Sequence, residues 1–207
     1  MATAGAIGYV SGAFPTADIV TRVATRGRLN LRSEGSGNPG ATNAAKVLGA
    51  KWGIVVLVVD MGKGALAGFA GGAIGGDLGA YVAATLAIAG HILPVWSRFR
   101  GGKGVATSAG ACLAVFPLFF PIDLVVAAIG AVAAKNAERA TQLSCLVWCA
   151  AAFAWWRGDI SNAWGPRPSW ALFAFALVSS AMILAKFAQA RSVATQLANA
   201  SVHAGEA

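Results

Sequence analysis

Apolar residues run in long blocks along this chain, separated by short polar stretches rich in glycine, arginine and lysine. No block alternates over the roughly ten residues that a membrane-barrel strand needs. Several blocks approach the ~20 residues with which a helix crosses a bilayer. The pattern predicts spans at about 5–24, 51–73 and 78–96, short segments at 104–117 and 121–134, and spans at about 143–156 and 169–187. Pro117 and Pro121 fall in the middle of the 104–134 stretch. Proline breaks the helical hydrogen-bond ladder, so that stretch divides in two. The expected fold is an all-α polytopic membrane protein of about seven transmembrane helices, with one domain at 1–190 and a polar tail at 191–207. The shortest spans either draw their ends from flanking polar sequence or do not cross fully.

Composition agrees. The 207 residues are 57% hydrophobic and 12% charged, where soluble domains carry about 25% charged residues. The formal charge of +8 is read as the cytoplasmic bias of membrane proteins, in which Lys and Arg collect in inside loops. Nucleic acid is therefore not an expected partner. With the N-terminus outside and seven spans, twelve cations lie in inside segments and two, Arg157 and Arg167, lie outside. Six spans give ten against four. The bias favours seven and puts the C-terminus in the cytoplasm. Trp52, Trp96, Trp155, Trp156 and Trp170 fall near span ends, where interfacial anchors belong. The first 17 residues lack a basic side chain, so the positive start of a signal peptide is missing and the first span is expected to be retained.

The polar stretches carry the candidate chemistry. One reads Glu34-Gly35-Ser36-Gly37-Asn38-Pro39-Gly40-Ala41-Thr42-Asn43, preceded by Ser33 and followed by Lys46. The other reads Gly90-His91-Ile92-Leu93-Pro94, then Phe99-Arg100-Gly101-Gly102-Lys103-Gly104-Val105-Ala106-Thr107. Glycines let backbone N–H groups approach an anion, and Lys103 stands just before an apolar helix whose N-terminus favours negative charge. The positive-inside topology puts both stretches on one side of the membrane. The second is not a Walker A loop, because Lys103 is followed by glycine rather than Ser or Thr.

Asp60 and Lys63 stand inside the second span, where charges are costly and mark function or a structural ion pair; three apart, they share a helix face. Asp18 and Arg22 have the i,i+4 spacing of a pair. Cys112, Cys145 and Cys149 lack the spacing of a metal or disulfide framework, and no two of the eight acids have metal-ligand spacing. Neither a metal nor a cofactor is expected.

The run GSGNPGATN, the Asp60/Lys63-Gly64 set and the pattern GHxxPxxxxFxGGKGVAT occur together and in this order. The set resembles the bacterial integral-membrane acyl-phosphate:glycerol-3-phosphate acyltransferase family. The likeness is densest over about 30–110 and weakens after 135. It implies an enzyme of the bacterial inner membrane with its active site facing the cytoplasm. That enzyme moves a fatty acyl group from acyl phosphate to the 1-hydroxyl of glycerol 3-phosphate, giving lysophosphatidate and phosphate. Carried across, Ser36 and Lys103 take the catalytic, phosphate-contacting roles. Ser33, Gly35, Gly37, Asn38, Thr42, Asn43, Lys46, Gly101, Gly102, Gly104 and Thr107 line the substrate site, supported by Asp60, Lys63, His91 and Arg139.

The chain also departs from the family pattern. Lys46 replaces an arginine, keeping charge but losing its fork. Gln142 stands where the family tends to have serine. Phe187 and Ala190 stand where the family's last span has His-x-x-Asn, which implies two fewer side-chain donors. Two other readings stay open: a weakened relative that keeps a phosphate site as scaffold or sensor, and a transporter of a phosphorylated solute.

Overall fold

The computed structural model describes residues 1–125 and 137–205. The described residues form helices and turns, with no strand among them. We number the helices α1 (Ala2–Ala13), α2 (Thr16–Thr25), α3 (Ala41–Leu48), α4 (Ala50–Ile92), α5 (Val105–Val115), α6 (Ala137–Arg157) and α7 (Trp170–Gly205). A 3-10 turn, Val95–Ser97, follows α4.

Helix α4 contains the second and third expected spans. It folds back on itself at Gly75 and Gly76, where Gly76 takes φ +61°. Gly71 then faces Gly79 and Ala83, and Lys63 meets His91, so the two arms run antiparallel. Helix α1 lies along the second arm so closely that a Cβ on Gly8 or Gly12 would strike the backbone of Ala83 or Ala87. Small residues that let backbones touch are how helices associate where lipid removes the hydrophobic drive. Helix α5 follows the first arm in the same manner, with Gly110 against Met61. Helices α6 and α7 pair antiparallel: Trp148 Nε1 donates to Ser179 Oγ at 3.3 Å, and Glu138 meets Arg191 at 3.1 Å. Between α5, α6 and α7 lies an aromatic core in which Phe119 and Phe175 stand 5.0 and 5.8 Å from Trp148.

Along the helices much of the exterior is apolar, while one pair of charges lies within. Ile54, Val58, Leu66 and Leu146 are exposed, whereas Asp60 and Lys63 are buried. Such inversion suits a lipid solvent. Ala50–Ser97 and Trp170–Ser192 are each long and apolar enough to cross a membrane.

Several expectations are corrected. The segment 5–24 is two helices broken at Phe14 and Pro15 rather than one span. Proline removes an amide and pushes the residue before it to an extended backbone, and Phe14 has ψ 124°. Asp18 pairs with Arg32 instead of Arg22. The third span stops at Ile92 rather than 96, just before Pro94. Trp155 packs edge-on against Phe116 in the core instead of standing in an interfacial belt. The division of 104–134 holds: α5 ends at Val115 and helix resumes over 120–125. The rest of the 121–134 segment, and Lys135, lie outside the described residues.

Candidate active site

The antiparallel arrangement brings one set of loops to one end of the bundle: 26–40, 93–104, the start of α6 and the 186–191 stretch of α7. Direct contacts join them. The carbonyl of Pro39 approaches Gly102 so that a Cβ there would lie 3.2 Å away. Arg32 donates from Nε and Nη2 to Arg100 O, each at 3.0 Å. Its Nη1 pairs with Asp18, which also accepts from Ser97 Oγ at 3.0 Å. The two glycine-rich stretches are thus tied by an arginine on one and a carbonyl on the other.

The first loop is organised by Asn43, the buried third residue of α3. Its Oδ1 accepts from Ser36 N at 2.9 Å, and its Nδ2 donates to Leu31 O and Glu34 O at 3.1 and 2.9 Å. Gly35 and Gly37 take φ +57° and +69°, which side chains avoid. With the loop so wound, Ser33, Ser36, Thr42 and Lys46 are exposed, and Asn38 is half-buried. Asn43 spends its amide on the loop itself and acts on the site through Ser36.

The second loop rests on a buried polar cluster. Asp60 and Lys63 pair at 2.9 Å. Lys63 Nζ also donates to Phe14 O at 3.0 Å and meets His91 Nδ1 at 3.3 Å. Lys63 thus meets three partners in the interior, where an unpaired charge is costly. The other ring nitrogen of His91, Nε2, faces Gly102. A Cβ at Gly102 would strike that nitrogen.

The amides of Gly101 and Gly102 donate to Ile92 O and His91 O at 3.1 and 3.2 Å. Those of Gly37 and Gly40 donate to Glu34 O and Asn38 O at 3.0 and 2.9 Å. These four amides are therefore spent within the loops. The glycines shape the loops, and the N–H groups that a helix leaves free at its start open α5, where Gly104 takes φ +85°.

Lys103 sits at that opening. Its Nζ lies 4.0 Å from the centre of the Phe187 ring, a cation–π contact. Burial holds its ammonium below the usual lysine range, and Glu138 pulls the other way. Glu138 is itself engaged by Arg191, and Arg139 stands exposed beside it on α6. Thr107 is fully buried against Gly64 in the α4–α5 contact, away from the exposed hydroxyls. Ala190 is exposed on α7.

Sequence reading missed Arg32 and Ser97 as parts of the site frame. Asp18 was the available signal: a carboxylate in an apolar segment needs a partner, and the nearest arginine in sequence is not the nearest in space.

An apolar-walled helical bundle with a cationic loop site at one end defines an integral-membrane architecture. The chain belongs to the glycerol-3-phosphate acyltransferase family, which it matches over residues 2–197. It is 42% identical to the glycerol-3-phosphate acyltransferase of Exiguobacterium sibiricum over 58% of this chain and 57% of that one. It is 46% identical to glycerol-3-phosphate acyltransferase 2 of Moorella thermoacetica over 54% of this chain and 57% of that one. It is 41% identical to the enzyme of Roseobacter denitrificans over 72% of this chain and 64% of that one. The matched region thus spans less than two thirds of each of these relatives. In fold it is similar to the crystal structure of PlsY, an integral membrane glycerol 3-phosphate acyltransferase, in its glycerol 3-phosphate form. The TM-score is 0.76 at 24% identity, over 96% of this chain and 92% of that one. The lysophosphatidic acid form gives 0.74 at 23% identity, over 96% and 91%.

Proposed function

We propose that this protein transfers a fatty acyl group from acyl phosphate to the 1-hydroxyl of glycerol 3-phosphate. The observation that carries the reading is Lys103, a half-buried cation at the junction of two tied glycine loops, with exposed Ser36 and Lys46 on the facing loop. Both substrates bear phosphate, and charge-assisted contacts from Lys103 and Lys46 suit them. The acyl phosphate is a mixed anhydride, already activated, so no protein nucleophile is needed. The substrate hydroxyl attacks the carbonyl carbon, the acyl C–O bond to phosphate breaks, and the hydroxyl proton leaves with the phosphate. Catalysis then rests on holding hydroxyl and carbonyl together and on stabilising the oxyanion.

In this reading the seven-span arrangement, with N-terminus outside and C-terminus inside, turns the loop end to the cytoplasm of a bacterial inner membrane. One acyltransferase domain spans 1–190. The twelve cations of the inside segments support that orientation. A second reading, a weakened relative that retains phosphate binding, is favoured by Phe187 and Ala190, neither of which donates a side-chain hydrogen bond.

Phosphate release from an acyl phosphate by purified protein tests the proposal. Release should be slow alone and rise sharply with glycerol 3-phosphate. Tight binding of glycerol 3-phosphate without release would favour the second reading, and neither binding nor release would sink both.

A further inference from the structure

We propose that the arginine-lined groove beside the site binds the phosphate headgroup of an anionic bilayer lipid. The inference is independent of acyl transfer and needs only the membrane setting. The groove has a volume of about 680 Å³, within the ~300–1,000 Å³ usual for ligand pockets. It lies between α2, the 27–32 loop and the 96–100 turn. Lys103, Ser36 and Lys46 do not line it, so it is distinct from the proposed acyl-transfer site.

Its charge is one-sided. Arg22, Arg32, Arg98 and Arg100 line it, with Asp18 as the one carboxylate of the lining. Asp18 is occupied by Arg32 and Ser97. Arg22, Arg98 and Arg100 have no carboxylate in ion-pair contact among the described residues. Guanidinium groups match phosphate oxygens in paired hydrogen bonds, and three of them without a carboxylate partner around one groove call for an anion.

The rest of the wall names the kind of anion. Ile19, Leu29 and Trp96 also line the groove and are 43%, 40% and 63% exposed. Val23 and Phe99, next in sequence to Arg22 and Arg98, are exposed as well. A freely soluble phosphate would leave these side chains in water. A lipid covers them with its glycerol backbone and first methylenes while its phosphate meets the arginines. Basic side chains with interfacial tryptophan at a span end are the composition that meets anionic headgroups.

The wall is also built rather than loose. Arg98 and Phe99 both take positive φ, 52° and 61°, a backbone that side chains avoid and that persists only where its surroundings impose it. Their amides are held by Val95 O and Pro94 O at 3.2 and 2.9 Å, and Arg32 fixes the next carbonyl from across the groove.

The test is lipid retention. Purified protein is equilibrated with equal phosphatidylglycerol and phosphatidylcholine, stripped in detergent, and its retained lipid quantified by mass spectrometry. Wild type should retain phosphatidylglycerol preferentially. Arg22→Gln with Arg98→Gln should lower that preference roughly tenfold or more, since each arginine supplies a charge-assisted contact. Arg26→Gln with Arg28→Gln, an equal charge loss at the same end but outside the lining, should leave it nearly unchanged. Trp96→Ala should weaken retention without changing charge. Equal losses in the two arginine pairs, or no preference in wild type, would overturn the proposal. Displacement of the lipid by millimolar inorganic phosphate would overturn the lipid assignment in favour of a soluble anion. Single Arg22→Gln and Arg98→Gln proteins, verified by gel filtration, give the same comparison if the double variant does not fold.

Discussion

Phe187→Leu removes the ring beneath the Lys103 ammonium while keeping an apolar side chain of similar reach. The 4.0 Å separation makes this a close cation–π contact. Such contacts are worth ~0.5–1 kcal/mol where exposed and about 2 kcal/mol where desolvated. Lys103 is half-buried, so about 1 kcal/mol is expected, or roughly fivefold in kcat/KM for the phosphorylated substrates. The sign of the pH effect follows from the same contact. Burial already favours the neutral amine and Glu138 opposes it, while the ring stabilises the charged form. Loss of the ring lowers the Lys103 pKa further, and the alkaline limb of the kcat/KM profile moves to lower pH. The assay is kcat/KM against pH for wild type, Phe187→Leu and Phe187→Tyr. Tyrosine keeps the ring face and should keep the wild-type limb. A packing defect alone would lower activity in both variants and leave the limb in place. If Phe187→Leu leaves both limb and rate unchanged, the ring does not hold the lysine and the reasoning fails.

Further outcomes follow from the same geometry. Lys103→Ala should raise KM for a phosphorylated substrate by the ~1.5–3 kcal/mol of a charged hydrogen bond, and Ser36→Ala by a smaller ~0.5–1.5 kcal/mol; wild-type kinetics in both folded variants would remove the loops from the site. Lys63→Met strands Asp60 in the interior, and breaking a buried pair costs about 3–5 kcal/mol, so thermal unfolding in detergent should drop steeply. Adding Asp60→Asn should recover part of that loss, and a single variant as stable as wild type would contradict the cluster's role. A cysteine at Arg28 should react with an impermeant thiol reagent only from the cytoplasmic side, and one at Asn162 only from outside; the reverse pattern would invert the proposed topology.

Much of the frame was legible in the sequence because it is local. The Asp60–Lys63 pair follows from i,i+3 spacing on one helix face, and the break after Val115 from two prolines four residues apart. The chain order of apolar blocks is enough to bring both glycine-rich stretches to one end. What stayed hidden depends on distance along the chain or on who accepts each proton. Arg32 reaches Asp18 across a loop, and i,i+4 spacing pointed to Arg22 instead. Phe187 looked like a simple loss of a donor, yet it lies under Lys103, 84 positions earlier. Glycine-rich sequence suggests free amides, but the carbonyls of His91 and Ile92 take those of Gly102 and Gly101. The break at Pro15 lies inside an apolar run whose length alone suggests one continuous span.

Product analysis tests the proposed acyl transfer. Purified protein in detergent or nanodiscs is supplied with an acyl phosphate and isotope-labelled glycerol 3-phosphate, and both phosphate and labelled lipid are followed in time. Lysophosphatidate and phosphate should appear in equal amounts, with both lost together in Lys103→Ala at subsaturating substrate. Phosphate released without labelled lipophilic product, or no turnover in a folded protein that binds glycerol 3-phosphate, would contradict it.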